Sequence, residues 1–218
     1  MIDEDRVELT VVGKISDIGE FDWDACALSS DAGSRPVDPF VTYRFLKGLE
    51  DSKSIGAGTG WIPQYIVAKY NKVIIGVMPS FAKGHSQGEY IFDHNWAHAY
   101  ENSGGKYYPK LQVSIPFTPV TGRRFLTLPD FHDIAQSALL EGLQIIVRQQ
   151  KWSSAHITFC SAEEFKAGEE LGLLQRIGQQ FHWENQSYKN FDEFLMNLSS
   201  RKRKNIKKER RIAANFGG

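Results

Sequence analysis

The chain has 218 residues, with 26 Lys and Arg against 26 Asp and Glu, 41% hydrophobic residues, 24% charged residues and two cysteines. That apolar fraction excludes collagen-like, low-complexity and wholly disordered chains, and two cysteines are too few for a disulfide-stapled scaffold. No run approaches the ~18 uncharged apolar residues of a membrane span, and the acidic opening Met1-Ile2-Asp3-Glu4-Asp5 is unlike a signal peptide, so a cytoplasmic protein with free thiols at Cys26 and Cys160 is expected.

Val7 to Ile15 has the β-branched content of a strand, and helical patches follow over Phe21 to Leu28 and Phe40 to Leu49, parted by the turn formers of Ser29 to Pro36. The loop Gly56-Ala57-Gly58-Thr59-Gly60 lacks the Lys-Ser/Thr of a phosphate loop and reads as a connector. Tyr65 to Tyr70 and Val73 to Met78 flank Asn71-Lys72 as a tight hairpin. Leu111 to Phe117 alternates as a strand that ends at Pro116 and Pro119. Asp130 is placed to cap a helix running to about Gln150, in which Ile134, Ala135, Ala138, Leu139, Leu143, Ile146 and Val147 recur at helical spacing. Ala155 to Cys160 alternates as a strand, Ser161 and Glu164 form a capping box for a helix stopping at Gly172, and Leu173 to Trp183 alternates as a last strand. Asn190 and Glu193 open a final helix with Phe191, Phe194, Leu195 and Leu198 on one face, running on into the basic segment. The order predicts an α/β (α+β) fold, a mixed, mostly antiparallel sheet flanked by helices.

The neutral total hides an asymmetry. Arg201 to Arg211 holds eight basic residues against Glu209 alone and so carries +7, which leaves −7 on the remainder. Arg201, Lys204, Lys207, Lys208 and Arg211 are the candidate contacts for RNA or another anionic partner, such as a membrane surface. His94, His98 and Glu101 share a face if their stretch is helical, but the Glu of a His-Glu-x-x-His site is missing, so solvent-facing histidines and no metal are expected.

The connection from His85 to Lys110 is long and dense in titratable and aromatic groups, and is expected to line a cavity open to small molecules. Proton abstraction in such a cavity requires a base, and a developing oxyanion requires hydrogen-bond donors. Glu89, Asp93 or His85 suits the first task, and Tyr or Lys side chains the second.

The run Pro79-Ser80-Phe81-Ala82-Lys83-Gly84-His85-Ser86-Gln87-Gly88-Glu89-Tyr90-Ile91-Phe92-Asp93 continues through Trp96, Tyr100, Tyr107-Tyr108-Pro109-Lys110 and Pro116 to Gly122. Together with Gly60-Trp61, Phe181-His182-Trp183, Asn185, Tyr188, Phe191 and the basic helix, it resembles the FemAB-like family of peptidoglycan biosynthesis or recognition, within the wider GNAT acyltransferase group. The resemblance implies a GNAT-like domain over residues 1–189 and a basic helix over 190–218 leading toward a second, absent GNAT-like half. It implies transfer from acyl-CoA or aminoacyl-tRNA to an amine, possibly on a peptidoglycan precursor, and a substrate-binding set of Lys83, Ser86, Trp96, Tyr107, Tyr108, Lys110, His182, Trp183 and Asn185. Val120, Thr121, Gly122, Arg123 and Arg124, lying between the central strand and the long helix, would hold the donor's pyrophosphate, with Arg123-Arg124 standing where the family has Pro. A non-catalytic recognition module for cell-wall fragments and an RNA-binding adaptor are the alternative readings.

Overall fold

Main-chain pairing gathers the strands into two four-stranded sheets, seen in a computed structural model that describes residues 6–29, 37–91 and 93–216. In chain order the elements are β1 (Glu8–Val12), α1 (Glu20–Ala27), α2 (Tyr43–Asp51), β2 (Trp61–Pro63), β3 (Tyr65–Tyr70), β4 (Val73–Met78), β5 (Ser80–Lys83), α3 (His94–Asn102), β6 (Lys110–Val113), β7 (Leu126–Thr127), α4 (His132–Gln150), β8 (Ala155–Ile157), α5 (Ala162–Glu170), α6 (Phe191–Met196) and α7 (Ser200–Asn215). The acidic opening, the turn formers from Ser30 to Pro36 and Phe92 lie outside the described residues. The expected mixed, mostly antiparallel α/β architecture is what forms. No helix among the described residues is long and apolar enough to cross a membrane.

The chain divides into two compact units, Met1–Arg176 and Ile177–Gly218. In the first, sheet order is β1-β3-β4-β7 and β2-β5-β6-β8. The hairpin β3–β4 turns on Asn71 and Lys72, both at positive φ (48° and 67°), the primed geometry whose twist suits the strands it joins. The same two segments run on into the other sheet, β2 into β3 through Gln64 and β4 into β5 through Pro79, with Gln64 N–H donating to the Ser80 carbonyl at 2.8 Å. Beyond that switch, β7 follows β4 and β6 follows β5, so the strands part and residues 114–125 leave between them.

β6 and β8 pair in parallel, which requires a crossover, and α4 supplies it. Its Ala135, Ala138, Leu139, Leu143 and Ile146 pack on Ile66, Ala68, Ile75, Met78, Leu111 and Val113. A second core, with Trp23, Leu46, Tyr65, Val67, Val77 and Phe81, lies among α1, α2 and the strands. Side chains alternate across a strand. With Leu111 and Val113 of β6 committed to α4, Lys110, Gln112 and Ser114 belong to the opposite face, which the 84–109 connection covers.

Three expectations are corrected. The long helix is not capped by Asp130: Pro129 opens a 3₁₀ turn over Pro129–Phe131 that contains Asp130, and α4 starts at His132 without a side-chain cap. Leu173 to Trp183 forms no strand; residues 173–188 hold no regular element, and Leu174, Ile177 and Phe181 are almost wholly exposed. The final helix is two. Asn190 caps α6 as expected, but Ser199 accepts a hydrogen bond from Lys202 N–H and opens a new helix, α7, so the apolar stripe of α6 does not continue into the basic segment.

Gly142 in α4 sits so close to Ile66 that a Cβ there would come within 2.9 Å of its Cγ2. Ala in place of Gly ordinarily strengthens a helix by about 1 kcal/mol, but Ile66 is fully buried and stiff. Gly142→Ala is therefore expected to lower stability by about 1–3 kcal/mol in a denaturant titration, the reverse of the propensity effect.

Candidate active site

The polar face of β6 is a network centred on Lys110. Its Nζ donates to Asp93 Oδ2 at 2.7 Å, Glu89 Oε2 at 2.8 Å and Ser86 Oγ at 3.0 Å. Tyr107 Oη donates to the same Asp93 oxygen at 2.8 Å, and Tyr108 Oη and Ser86 Oγ share a hydrogen bond of 2.7 Å. Lys83 stands opposite Lys110 in the β5–β6 register. Its Nζ lies 3.5 Å above the Trp61 ring, 3.1 Å from the Gln87 carbonyl it donates to and 4.0 Å from Glu89 Oε1. Gln87 also accepts from Trp61 Nε1 at 3.1 Å, which fixes that turn of the connection.

Lys83, Asp93 and Lys110 are fully buried and Glu89 is 3% exposed. This corrects the expectation of an open cavity: the groups do converge, but the connection seals them against the sheet, because each buried charge needs its partner there. Glu89 Oε1, Asp93 Oδ1, Gln112 Oε1 and Ser114 Oγ are buried without a hydrogen-bond partner among the described residues.

Burial alone would raise the Asp93 carboxyl, but hydrogen bonds from Lys110, Ser86 and Tyr107 and the Lys110 charge outweigh it and hold Asp93 at about 2. Burial pushes the Glu89 carboxyl up despite Lys110. Burial and the Lys110 charge, opposed by Glu89, bring the Lys83 amine down to about 7. Burial and then the Asp93 contact push the Tyr107 hydroxyl up. On β8, burial and then the Lys110 charge bring His156 down to about 4, so it is neutral; its Nε2 is 2.9 Å from Ser154 Oγ and its ring meets Tyr107 edge-on at 6.0 Å.

Of the residues expected to act together, Lys83, Ser86, Glu89, Asp93, Tyr107, Tyr108 and Lys110 meet. His85 stands apart: its ring lies against Gly60, where a Cβ would come within 2.0 Å of Nε2, and its Nδ1 accepts from Gln87 N–H. Gly60 is at φ +74°, so both conformation and space require glycine there. Trp96 is 61% exposed on α3, beneath the Arg176 guanidinium. His94, His98 and Glu101 are exposed on α3, and no metal-holding group of three such side chains occurs among the described residues.

Gln112, Ser114, His156 and Thr158 were not foreseen. Gln112 Nε2 donates to Thr158 Oγ1 at 2.8 Å, and Gln112 pairs with His156 in the β6–β8 register. The alternation Lys110-x-Gln112-x-Ser114 was the available signal, since polar residues at every second position on a buried strand mark a polar covered face.

The Val120 to Arg124 segment is followed by β7 and the 3₁₀ turn rather than directly by α4. Gly122 N–H donates to the Phe159 carbonyl at 3.0 Å, and Arg124 and Phe125 N–H both donate to Glu164 Oε1, at 2.7 and 2.8 Å. The buried Arg124 guanidinium donates to the carbonyls of Val120, Arg123 and Thr158, and Arg123 to those of Ala27 and Ser29. These donors serve the protein's own acceptors, with Glu164 in the place of an external anion. Val120 and Thr121 are exposed.

In the second unit, Trp183, Asn185, Tyr188, Asn190, Phe191 and Phe194 line a hollow of about 360 Å³. Trp183 stacks on Tyr188 with ring centroids 6.3 Å apart, and His182 Nε2 lies 2.8 Å from Gln180 Oε1. Arg203 donates to the carbonyls of Leu195, Met196 and Leu198, and the Arg210 guanidinium lies 4.2 Å over Phe191. Arg201, Lys204, Lys207, Lys208 and Arg211 are exposed on α7, with Lys207 3.9 Å from Asp192.

Asp93 ordinarily ionises at 3.8, so its contribution is present above that pH and is lost as the pH falls to about 2. The shift corresponds to about 2 kcal/mol. Stability measured against pH is expected to fall over that window in the native chain, and the fall is expected to flatten in Asp93→Asn.

No curated protein matches the chain. Among solved structures, it is similar to the ribosomal-protein-alanine N-acetyltransferase of Brucella melitensis biovar Abortus 2308 (14% identity, TM-score 0.48, 83% of this chain and 100% of that one). It is also similar to the aminoglycoside N-acetyltransferase AAC(6')-Iy in complex with CoA (14%, 0.46, 83% and 95%) and to glucosamine-6-phosphate N-acetyltransferase of Arabidopsis thaliana (12%, 0.44, 83% and 99%). The FemAB-like family, described as peptidoglycan biosynthesis/recognition, matches residues 14–218, and the chain belongs to that family.

Proposed function

We propose that the chain is an N-acyltransferase that acts on an amine, with an acyl thioester such as acyl-CoA as donor and an amine-bearing peptidoglycan precursor as acceptor. The observation that carries this reading is the Lys110 network, in which Glu89 Oε1 has no hydrogen-bond partner among the described residues, with Lys83 Nζ 4.0 Å away, while its other oxygen is held by a buried ammonium. A carboxylate pushed up from its ordinary range by burial is suited to take an amine proton near neutral pH. Asp93, held at about 2, is no such base; it fixes Lys110 and Tyr107. The free amine then attacks the thioester directly, and positioning supplies much of the rate. Substrate reaches Glu89 when the 84–109 connection lifts from the sheet.

The acceptor class is supported by the family description. A recognition module is the second reading, and the observation favouring it is that Gly122, Arg124 and Phe125 spend their N–H groups inside the protein, so this loop offers little to a donor's pyrophosphate. Aminoacyl-tRNA as donor, with the exposed cations of α7 as its contact, is the finer variant of the transferase reading.

Calorimetry decides between these. Acetyl-CoA is expected to bind, and Glu89→Gln to retain that binding with a lowered melting temperature, while at a temperature where the variant is folded transfer to an amine-bearing muropeptide falls by roughly 10²–10⁴-fold. Absence of heat with acetyl-CoA, together with binding of the muropeptide alone, establishes the recognition module instead.

A further inference from the structure

The turn that carries Glu89 into the site is held down by a residue from outside the connection. Glu89 N–H donates to the Ser86 carbonyl at 3.4 Å and closes that turn, with Gly88 inside it at φ 77°. Phe117 comes from the segment 114–125 that leaves between the parted strands. Its N–H donates to the Gly88 carbonyl at 3.2 Å, and its ring lies so close on Gly88 that a Cβ there would come within 2.7 Å of Cδ1 and Cε1. The same Cβ would stand 3.2 Å from Trp61 Nε1, and the Trp61 and Phe117 ring centroids are 5.5 Å apart. Trp61 is 1% exposed and Phe117 42%, so the Phe117 ring is the outer member of this contact.

Phe117 is an unlikely residue for its own backbone. Thr118 N–H donates to the Ile115 carbonyl at 3.3 Å and closes a four-residue turn with Pro116 and Phe117 at its centre. Phe117 stands there at φ 60°, in the third position of a turn whose second is proline, where glycine is the residue that fits. A bulky side chain in the left-handed region is costly and persists only where its surroundings hold it. What the ring gains in return is its seat on Gly88. The two ends of the connection are also fastened differently. Asp93 is held by Lys110 and Tyr107 through bonds of 2.7 and 2.8 Å, whereas the Gly88 end is tied to Phe117 by one neutral main-chain bond and an apolar contact.

We propose that Phe117 is the gate of the site: with its ring on Gly88 the Ser86–Glu89 turn is shut over Glu89, and when the ring swings into solvent the turn opens and the acceptor amine enters at this corner. What enters rests on the transferase reading; the motion itself does not. Opening breaks no charge pair, because Lys110 keeps Glu89 Oε2 and Asp93 while Glu89 Oε1 becomes accessible. It also lets the Phe117 backbone leave the left-handed region, and that relief offsets part of the lost ring contact.

The test is hydrogen exchange at two indole N–H groups of the full chain labelled with ¹⁵N at tryptophan. Trp61 Nε1 donates to the Gln87 carbonyl at 3.1 Å beneath the gate, and Trp23 Nε1, in the core, donates to the Val41 carbonyl at 2.8 Å. In the native chain Trp61 is expected to exchange by local opening, about 10-fold or more faster than Trp23 and with little response to low urea, while Trp23 follows unfolding. Phe117→Gly suits the turn and removes the ring; it is expected to speed Trp61 by roughly a further 10-fold and to leave Trp23 unchanged. In transfer assays the same variant is expected to lower KM for the muropeptide in step with the faster opening, with kcat changed less than about twofold. The gate is overturned if the two indoles exchange together in the native chain, a comparison that needs no variant. It is overturned equally if Phe117→Gly leaves Trp61 in place or speeds both alike, or if KM does not fall beside faster exchange. Failure of acetyl-CoA to bind overturns the transferase reading separately, whatever the indoles show.

Discussion

A single buried ammonium holds the candidate site together. Lys110 sits on a strand whose other face is committed to the α4 core, so its side chain has nowhere to go but beneath the 84–109 connection, away from water. A charge in that place must be paired, and Glu89, Asp93 and Ser86 are the groups that pair it. Each comes from the connection, so the hydrogen bonds that neutralise Lys110 are also what pins the connection to the sheet. Removing one member of such a cluster leaves the others buried and unpaired, at a cost of about 3–5 kcal/mol.

The same arrangement divides chemical labour between like residues. Asp93 receives Lys110 and Tyr107 on one oxygen and is held as a carboxylate, whereas Glu89, hydrogen-bonded by Lys110 alone among the described residues and with burial dominant, is pushed up. Lys110 is surrounded by oxygen, and Lys83 lies over the Trp61 ring with the Gln87 carbonyl at 3.1 Å and Glu89 Oε1 at 4.0 Å. Two carboxyls within one cluster thus have different proton affinities, a condition for moving a proton at neutral pH. The loop from Val120 to Arg124 shows the contrary case: Glu164 already occupies the N–H groups of Arg124 and Phe125, and anion-binding geometry there serves the protein's own stability.

What the sequence made legible was whatever is decided locally. The Asn71-Lys72 turn, the Ser161–Glu164 box and the Asn190 cap each rest on a few adjacent residues, and each formed as expected. The Lys83, Glu89, Asp93 and Lys110 cluster was visible as a density of titratable groups in a long connection, but its burial was not, because that depends on which face of β6 the α4 helix takes. His156 was invisible for the same reason: only the parallel pairing of β6 with β8 sets it beside Gln112, which the alternation along β6 did signal. The break at Ser199 was missed because a local cap rather than apolar periodicity sets it, and Leu173 to Trp183 carries a loose alternation whose Leu174, Ile177 and Phe181 are exposed.

If Lys110 pins the connection to the sheet, the interaction is visible in main-chain protection without any knowledge of substrate. Amide hydrogen exchange compared between the native chain and Lys110→Met measures it directly. Protection is predicted to drop across residues 84–109 while β3, β4 and α4 exchange as before. Unchanged protection over that connection in the variant would contradict the account.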